Sequence, residues 1–299
     1  MIKVHNVSKS FGSFNALNGV NMNIRKGSVY GLVGPNGAGK TTIIKHLTGI
    51  LVPDEGEIFV NGERVYENIP IKQGMVYIPD DLFFFSSYTI KDMARFYKEV
   101  YANWNEERFM HLQTVFNIDI NRRVVRLSKG MQKQVAFWLG ISTMPSVMIL
   151  DEPVDGLDPV MRRKVWSLIL QDVAERETTV LISSHNLREL EDVCDHVGIM
   201  HEGRIVLEKQ MDEVKSDVHK LQVAFKGDIS EELIDTLKPM HQTRYGSVNL
   251  LIVRGEKEKI LSEIDKYSPL FIDLLPLTLE EVFIYELGGL GYEIQDVIL

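Results

Sequence analysis

Short apolar runs alternate with Gly, Asn and Asp turns and with helical-period stretches along the N-terminal part of the chain. Ile2 to Val7 reads as a strand. Asn21 to Arg25 alternates, and Lys26-Gly27 turns it into Ser28 to Val33, a continuous run of the kind buried on both faces of a parallel sheet. Glu57 to Val60 and Glu63 to Tyr66 flank Asn61-Gly62, a hairpin signal because Asn-Gly supplies the positive φ of a tight turn. Ile90 to Val100 and Asn105 to Phe116 carry a helical period. Val147 to Leu150 and Thr179 to Ser183 are again buried-strand runs. Asp158-Pro159 opens a helix running to about Glu175, with Asp as N-cap and Pro in the first turn. His196 to Met200 and Arg204 to Glu208 flank Glu202-Gly203 as a second hairpin.

Lys209 to Ser216 is polar and marks a boundary, after which the pattern restarts. Strands at Lys220 to Phe225, Ser247 to Val253 and Leu270 to Leu275 alternate with helices at Ser230 to Leu237, Glu256 to Tyr267 and Leu277 to Glu286. The spacing predicts a small, ferredoxin-like α/β module. The expected division is residues 1–208 and 209–299. No internal repeat or low-complexity segment interrupts either part.

Composition narrows the class. With 44% apolar and 25% charged residues, a chain of 299 residues can bury a real core, which excludes a disordered or collagen-like protein. A single cysteine, Cys194, excludes an intrachain disulfide and a cysteine-based zinc site. The net charge of −9 lacks the basic footprint of a nucleic-acid partner. No stretch approaches the roughly 20 apolar residues of a membrane helix, and Met1 to Phe11 lacks the apolar core of a signal peptide. An intracellular location is therefore expected.

Two constellations carry chemistry. Gly34-Pro35-Asn36-Gly37-Ala38-Gly39-Lys40-Thr41 fits the phosphate-loop pattern G-x-x-x-x-G-K-[ST] between a buried strand and a helix closed by Gly49. Its glycines let backbone N–H groups curl around phosphate oxygens, and the helix start adds partial positive charge. Lys40 then reaches the β- and γ-phosphates, and the Thr41 hydroxyl suits Mg2+. The second constellation is Asp151-Glu152 at the end of the Val147 to Leu150 run. The strand delivers Asp151 to the carboxyl edge of the sheet as a Mg2+ ligand, and Glu152 can polarise an attacking water as general base.

With these motifs in place, residues 1–209 resemble the nucleotide-binding subunit of ABC transporters. Leu127-Ser128-Lys129-Gly130-Met131-Gln132 resembles the LSGGQ signature, Gly156-Leu157-Asp158 the D-loop, His185 the switch histidine, and Phe11 the aromatic that stacks on adenine. The resemblance implies an α/β P-loop NTPase cassette: a RecA-like core with antiparallel β and helical subdomains, here followed by the C-terminal α/β module. It implies ATP and Mg2+ as cofactors. Nucleotide contacts fall to Phe11, Gly34, Pro35, Asn36, Gly37, Ala38, Gly39, Lys40, Thr41, Thr42, Ser128, Gly130 and Asp158. Metal contacts fall to Thr41, Asp80 and Asp151, and catalysis to Lys40, Glu152 and His185. Two cassettes would dimerise head to tail around ATP to power export by a separate transmembrane permease. The second cassette would be another copy or a paralogous ATPase. The chain would lie at the cytoplasmic face of the cell membrane. The competing reading is a soluble or regulatory ABC ATPase acting as a nucleotide-gated dimer.

Two positions depart from the family pattern. Lys129 replaces the first signature glycine and Met131 follows as a second change, a form that resembles the ABC-2 exporter branch, including bacitracin-type systems. Asp80-Asp81 stands where the family has the Q-loop glutamine; a carboxylate there can reach Mg2+ directly or through water. Leu82-Phe83-Phe84-Phe85 follows at once. It is either part of the groove that receives a cytoplasmic helix of the membrane subunit or a buried corner of the helical subdomain. The segment Thr278 to Leu287 resembles the closing segment of ABC-2 ATPases.

Overall fold

The computed structural model describes residues 1–216, 218–278, 280–282 and 284–285. In chain order the elements are β1 (Ile2–Phe11), β2 (Phe14–Ile24), β3 (Val29–Val33), α1 (Lys40–Leu47), β4 (Glu55–Val60), β5 (Glu63–Arg64), α2 (Ile69–Gln73) and β6 (Met75–Ile78). There follow α3 (Ile90–Val100), α4 (Glu106–Phe116), α5 (Lys129–Ser142), β7 (Val147–Asp151), α6 (Pro159–Arg176), β8 (Thr179–Ser184), β9 (His196–His201) and β10 (Arg204–Gln210). The tail adds α7 (Met211–Ser216), β11 (Val218–Ala224), α8 (Glu231–Leu237), β12 (His241–Tyr245), β13 (Val248–Arg254), α9 (Lys257–Asp265) and β14 (Phe271–Leu275). Two compact units result: Met1–Asn186 with Val193–Glu208, and Leu187–Asp192 with the chain from Lys209 onward.

The first unit is built on a six-stranded sheet of order β10-β9-β3-β8-β7-β6, in which β9, β3, β8, β7 and β6 run parallel. Strands β3 and β7 are buried at every position, as continuous apolar runs demand when both faces are covered. A four-stranded antiparallel sheet, β2-β1-β4-β5, packs its apolar face on the same core. Ile2, Val4 and Ile58 of that sheet join Ile43, Ile44 and Leu47 of α1 and Leu32, Ile149 and Leu181 of the central strands. The phosphate-loop helix is thus clamped between two sheets. β2 begins at Phe14, well before the expected Asn21, because the Asn-rich stretch pairs with β1 through register shifts that break its alternation.

Helices α3, α4 and α5 form the helical part of this unit. Thr89 and Asp92 make a reciprocal capping box on α3, and Asn105 and Ser128 cap α4 and α5 through their side-chain oxygens. Trp138 of α5 is fully buried, stacks on Phe109 of α4 at 4.7 Å, and donates its indole N–H to the Phe109 carbonyl at 2.8 Å. Truncating such an aromatic costs about 3–5 kcal/mol, so this contact fixes α5 and whatever its N-terminus carries.

The second unit is a β-α-β-β-α-β arrangement with antiparallel sheet order β12-β13-β11-β14, the ferredoxin-like pattern expected from its spacing. Leu221, Val223, Leu251 and Val253 pack against Leu233 of α8 and Ile260 and Ile264 of α9. The expected pattern lacked β12. Of the helix expected at Leu277 to Glu286, residues 280–282 and 284–285 are helical, and positions 279, 283 and 286 lie outside the described residues, as do Glu286 and Leu287 of the Thr278 to Leu287 segment.

Candidate functional site

The loop Gly34–Gly39 joins buried β3 to α1, whose first turn contains no acidic residue. A helix start leaves its first N–H groups without intrahelical acceptors, so the loop and helix together present donors to an anion. Gly39 sits at φ 108°, and a Cβ there would stand 2.8 Å from the Ala16 carbonyl oxygen, so only glycine closes this turn. Ala38 is buried, whereas Asn36, Gly37 and Thr41 are exposed and Pro35 and Thr42 partly so. Lys40 is 6% exposed, and its Nζ donates to the carbonyls of Gly34 at 2.6 Å and Pro35 at 3.3 Å. The ammonium is therefore folded back over the loop that a phosphate would occupy.

Strand β7 ends in Asp151, 2% exposed, whose Oδ1 accepts from the Ser183 hydroxyl on β8. The next residue, Glu152, turns at φ 45°, a left-handed conformation that breaks the strand direction at this point. Its N–H donates to the Ser183 carbonyl and hydroxyl oxygens, both at 3.2 Å. Its carbonyl accepts from Lys133 Nζ of α5 at 2.7 Å. The turn aims the carboxylate between two cations or proton carriers. Oε2 lies 3.0 Å from His185 Nδ1, and Oε1 lies 3.8 Å from Lys40 Nζ. An ionised Glu152 requires the hydrogen on His185 Nδ1, which leaves Nε2 as the acceptor of the neutral ring.

Burial dominates the titration of this pair. It pushes the Glu152 carboxyl above its ordinary value, against the opposing pull of His185 and Lys40. It lowers Lys40, against the opposing pull of Glu152 and Asp151. Both groups are shifted toward neutrality, as desolvation of each charged form requires.

Around this centre, Asp80 is exposed just beyond β6, with Oδ1 3.4 Å from Lys133 Nζ. Asp155 is exposed, and with Glu152 and His185 it offers three ligand atoms within 4.8 Å of one another. Asp158 caps α6, its Oδ1 accepting from the N–H groups of Val160 and Met161 at 3.0 Å each. Gly130 has a local reason to be glycine, because a Cβ there would stand 2.6 Å from the Gly156 carbonyl oxygen. The first turn of α5 thereby packs on the backbone at Gly156. The Ser128 hydroxyl is exposed and accepts from the Met131 N–H at 3.3 Å.

The sequence-predicted residues Lys40, Asp151, Glu152 and His185 thus meet at the strand ends beside the phosphate loop. Phe11, Ser128 and Gly130 are not among the residues these bonds join. Phe11, 48% exposed, ends β1, with Lys9 Nζ 5.8 Å from its ring centroid. Two residues of the site, Ser183 and Lys133, escaped the motif reading. Ser183 belongs to the apolar β8 run; Lys133, flanked by Gln132 and Gln134, carries no signal in the sequence, and its burial shows only in the structure.

The aromatic run after Asp81 divides. Phe84 is buried, while Phe83 is 82% and Phe85 40% exposed. Phe85 packs edge-on against Phe96 of α3 at 5.5 Å. A groove of about 440 Å³ lies beside them, lined by residues including Tyr88, Arg95 and Glu99. Among the described residues, no helix is long and apolar enough to cross a membrane.

Known proteins share this architecture. The family model described as ABC transporter matches residues 17–155. The ABC transporter ATP-binding protein YtrB of Bacillus subtilis is 32% identical over 97% of this chain and 99% of its own length. The bacitracin transport ATP-binding protein BcrA of Bacillus licheniformis is 32% identical over 72% of this chain and 71% of its own. A solved structure described as "Structure of ATP binding subunit of ABC transporter" superimposes with a TM-score of 0.68 and 28% identity, over 72% of this chain and 92% of that one.

Proposed function

The chain belongs to the ATP-binding proteins of the ABC transporter family, and from that premise we propose that it binds and hydrolyses ATP to power an exporter of the ABC-2 type. The observation that carries the reading is Glu152, pinned at both ends of its peptide and flanked by His185 and Lys40.

The loop from Gly34 to Gly39 and the first turn of α1, with Thr41 and Thr42, cradle the nucleotide phosphates through backbone N–H groups. Lys40 exchanges the carbonyls of Gly34 and Pro35 for phosphate oxygens. The donor set fits Mg2+: the exposed Thr41 hydroxyl, the buried Asp151 carboxylate and, directly or through water, Asp80 are hard oxygen ligands. When bound, the ion supplies charge neutralisation at the β- and γ-phosphates. Glu152 accepts the proton of the attacking water, and His185 holds the carboxylate in position by donating from Nδ1. Phe11 offers its exposed ring face to adenine. Ser128 and Gly130, at the N-terminus of α5, present an anion-binding helix end to the nucleotide of a second cassette, and Asp158 stands at the same interface.

The reading makes residues 1–208 the cassette and residues 209–299 an accessory module. The second cassette is another copy or a paralogous ATPase. The exposed Phe83 and Phe85 beside the α3 groove suit the cytoplasmic helix of a separate transmembrane permease, which would hold the chain at the inner face of the cell membrane. Glu152→Gln tests the reading. It should bind ATP, accumulate as an ATP-bound dimer in light scattering, and lose about a hundredfold or more of turnover. Wild-type turnover in that variant would overturn the assignment.

A further inference from the structure

Lys133 is 4% exposed within the buried stretch of α5 that continues through Val135, Phe137 and Trp138. A buried ammonium must be given acceptors, and this one has two that lie far apart in sequence. Its Nζ donates to the Glu152 carbonyl at 2.7 Å and stands 3.4 Å from Asp80 Oδ1. The first acceptor belongs to the general base, the second to the segment that follows β6. A cavity of about 410 Å³, lined by Asp80, Lys129, Lys133, Asp155 and Gly156 among others, opens beside it.

The peptide groups on both sides of Glu152 are held. Its φ of 45° places it in the left-handed region, so its carboxylate is aimed by the turn that these bonds fix. Ser183 holds the N–H side, and Lys133 holds the carbonyl side with a charge-assisted bond. We propose that Lys133 is a positioning residue for ATP hydrolysis, setting the Glu152 turn from the helix that carries Ser128 and tying it to Asp80. The proposal rests on the reading of Glu152 as general base. Movement of α5 or of the Asp80 segment is transmitted through Lys133 to the carboxylate that must face water, while the phosphate loop that binds ATP makes no use of it.

The test is Lys133→Met in the full chain, which keeps the stem and removes the donor. Steady-state turnover and calorimetric ATP binding are measured beside wild type, Lys133→Arg and Glu152→Gln. The expected result is a fall in kcat of about ten- to a hundredfold, the scale set by small misplacement of a catalytic group, with ATP affinity within about twofold of wild type. Lys133→Arg, which still donates, should recover part of the loss. A kcat within about twofold of wild type in Lys133→Met, or a fall matched by equal weakening of ATP binding, would overturn the proposal. Should Lys133→Met fail to fold, Lys133→Ala, whose vacated space lets water from the adjoining cavity reach the Glu152 carbonyl, carries the same measurement and the same two outcomes. If Glu152→Gln turns over ATP like the wild type, the general-base reading falls and this proposal with it. If Glu152→Gln is inactive and Lys133→Met unimpaired, the positioning role alone falls.

Discussion

Lys40 Nζ lies 3.8 Å from Glu152 Oε1, and both side chains are largely shielded from solvent. Burial is the larger influence on each, so the pair is held together while each member is pushed toward its neutral form. A general base works ionised. As pH falls through the raised Glu152 value, the carboxylate is protonated and turnover is lost. The acid limb of kcat/KM, which reports the free enzyme, should therefore have an apparent pKa above the ordinary glutamate value of 4.5. His185 acts to lower the Glu152 value, so His185→Ala should move that limb to higher pH as well as reduce turnover. The check is a pH profile of both proteins at saturating Mg2+. A limb at or below 4.5, or a downward move in the variant, would contradict the assignment.

How much of this was legible in the sequence depends on how each feature is encoded. The phosphate loop was readable because its donors come from consecutive residues between a buried strand and a helix. The position of Asp151 followed from the apolar run before it. The link from Lys133 to Glu152 was not readable, since it joins α5 to the end of β7 through a tertiary contact and Lys133 stands in the sequence between two glutamines, ahead of the apolar run that begins at Val135. Strand β12, His241–Tyr245, was missed for a different reason. It is an edge strand that pairs only with β13 and lies mostly exposed, so no apolar alternation marks it. The run Leu82 to Phe85 left a buried corner and a docking surface open, and the structure gives Phe84 to the interior and Phe83 and Phe85 to the surface.

That division makes the docking reading testable. Phe83 is 82% exposed, so Phe83→Asp should leave stability within about 0.5 kcal/mol of wild type and basal ATP turnover unchanged. It should reduce the fraction of the chain recovered with native membranes after cell breakage. Phe84→Asp is the contrast: it places a charge in the interior, and its effect should appear as a lowered unfolding temperature. Full membrane recovery of folded Phe83→Asp would remove this surface from the permease contact.

Asp172 of α6 is fully shielded from solvent and receives Arg108 of α4, with Arg176 at 3.4 Å. It ties the helical part of the first unit to the parallel-sheet core. Burial raises its carboxyl above the ordinary value, and the two guanidinium groups act to bring it back down. Because the folded value is raised, the ionised form costs folding energy at neutral pH, and that cost disappears as pH falls through the folded value. Arg108→Met removes one compensating cation and pushes the folded value higher. The variant should be destabilised at pH 7.5 by about 3 kcal/mol, the low end for breaking a buried pair, since Arg176 remains. On acidification Asp172 protonates first in the variant, so the gap in stability between the two proteins should narrow toward pH 5. Denaturant unfolding of both proteins at the two pH values measures this directly. A gap that is constant or wider at pH 5 would mean that the Asp172 charge is not what Arg108 compensates.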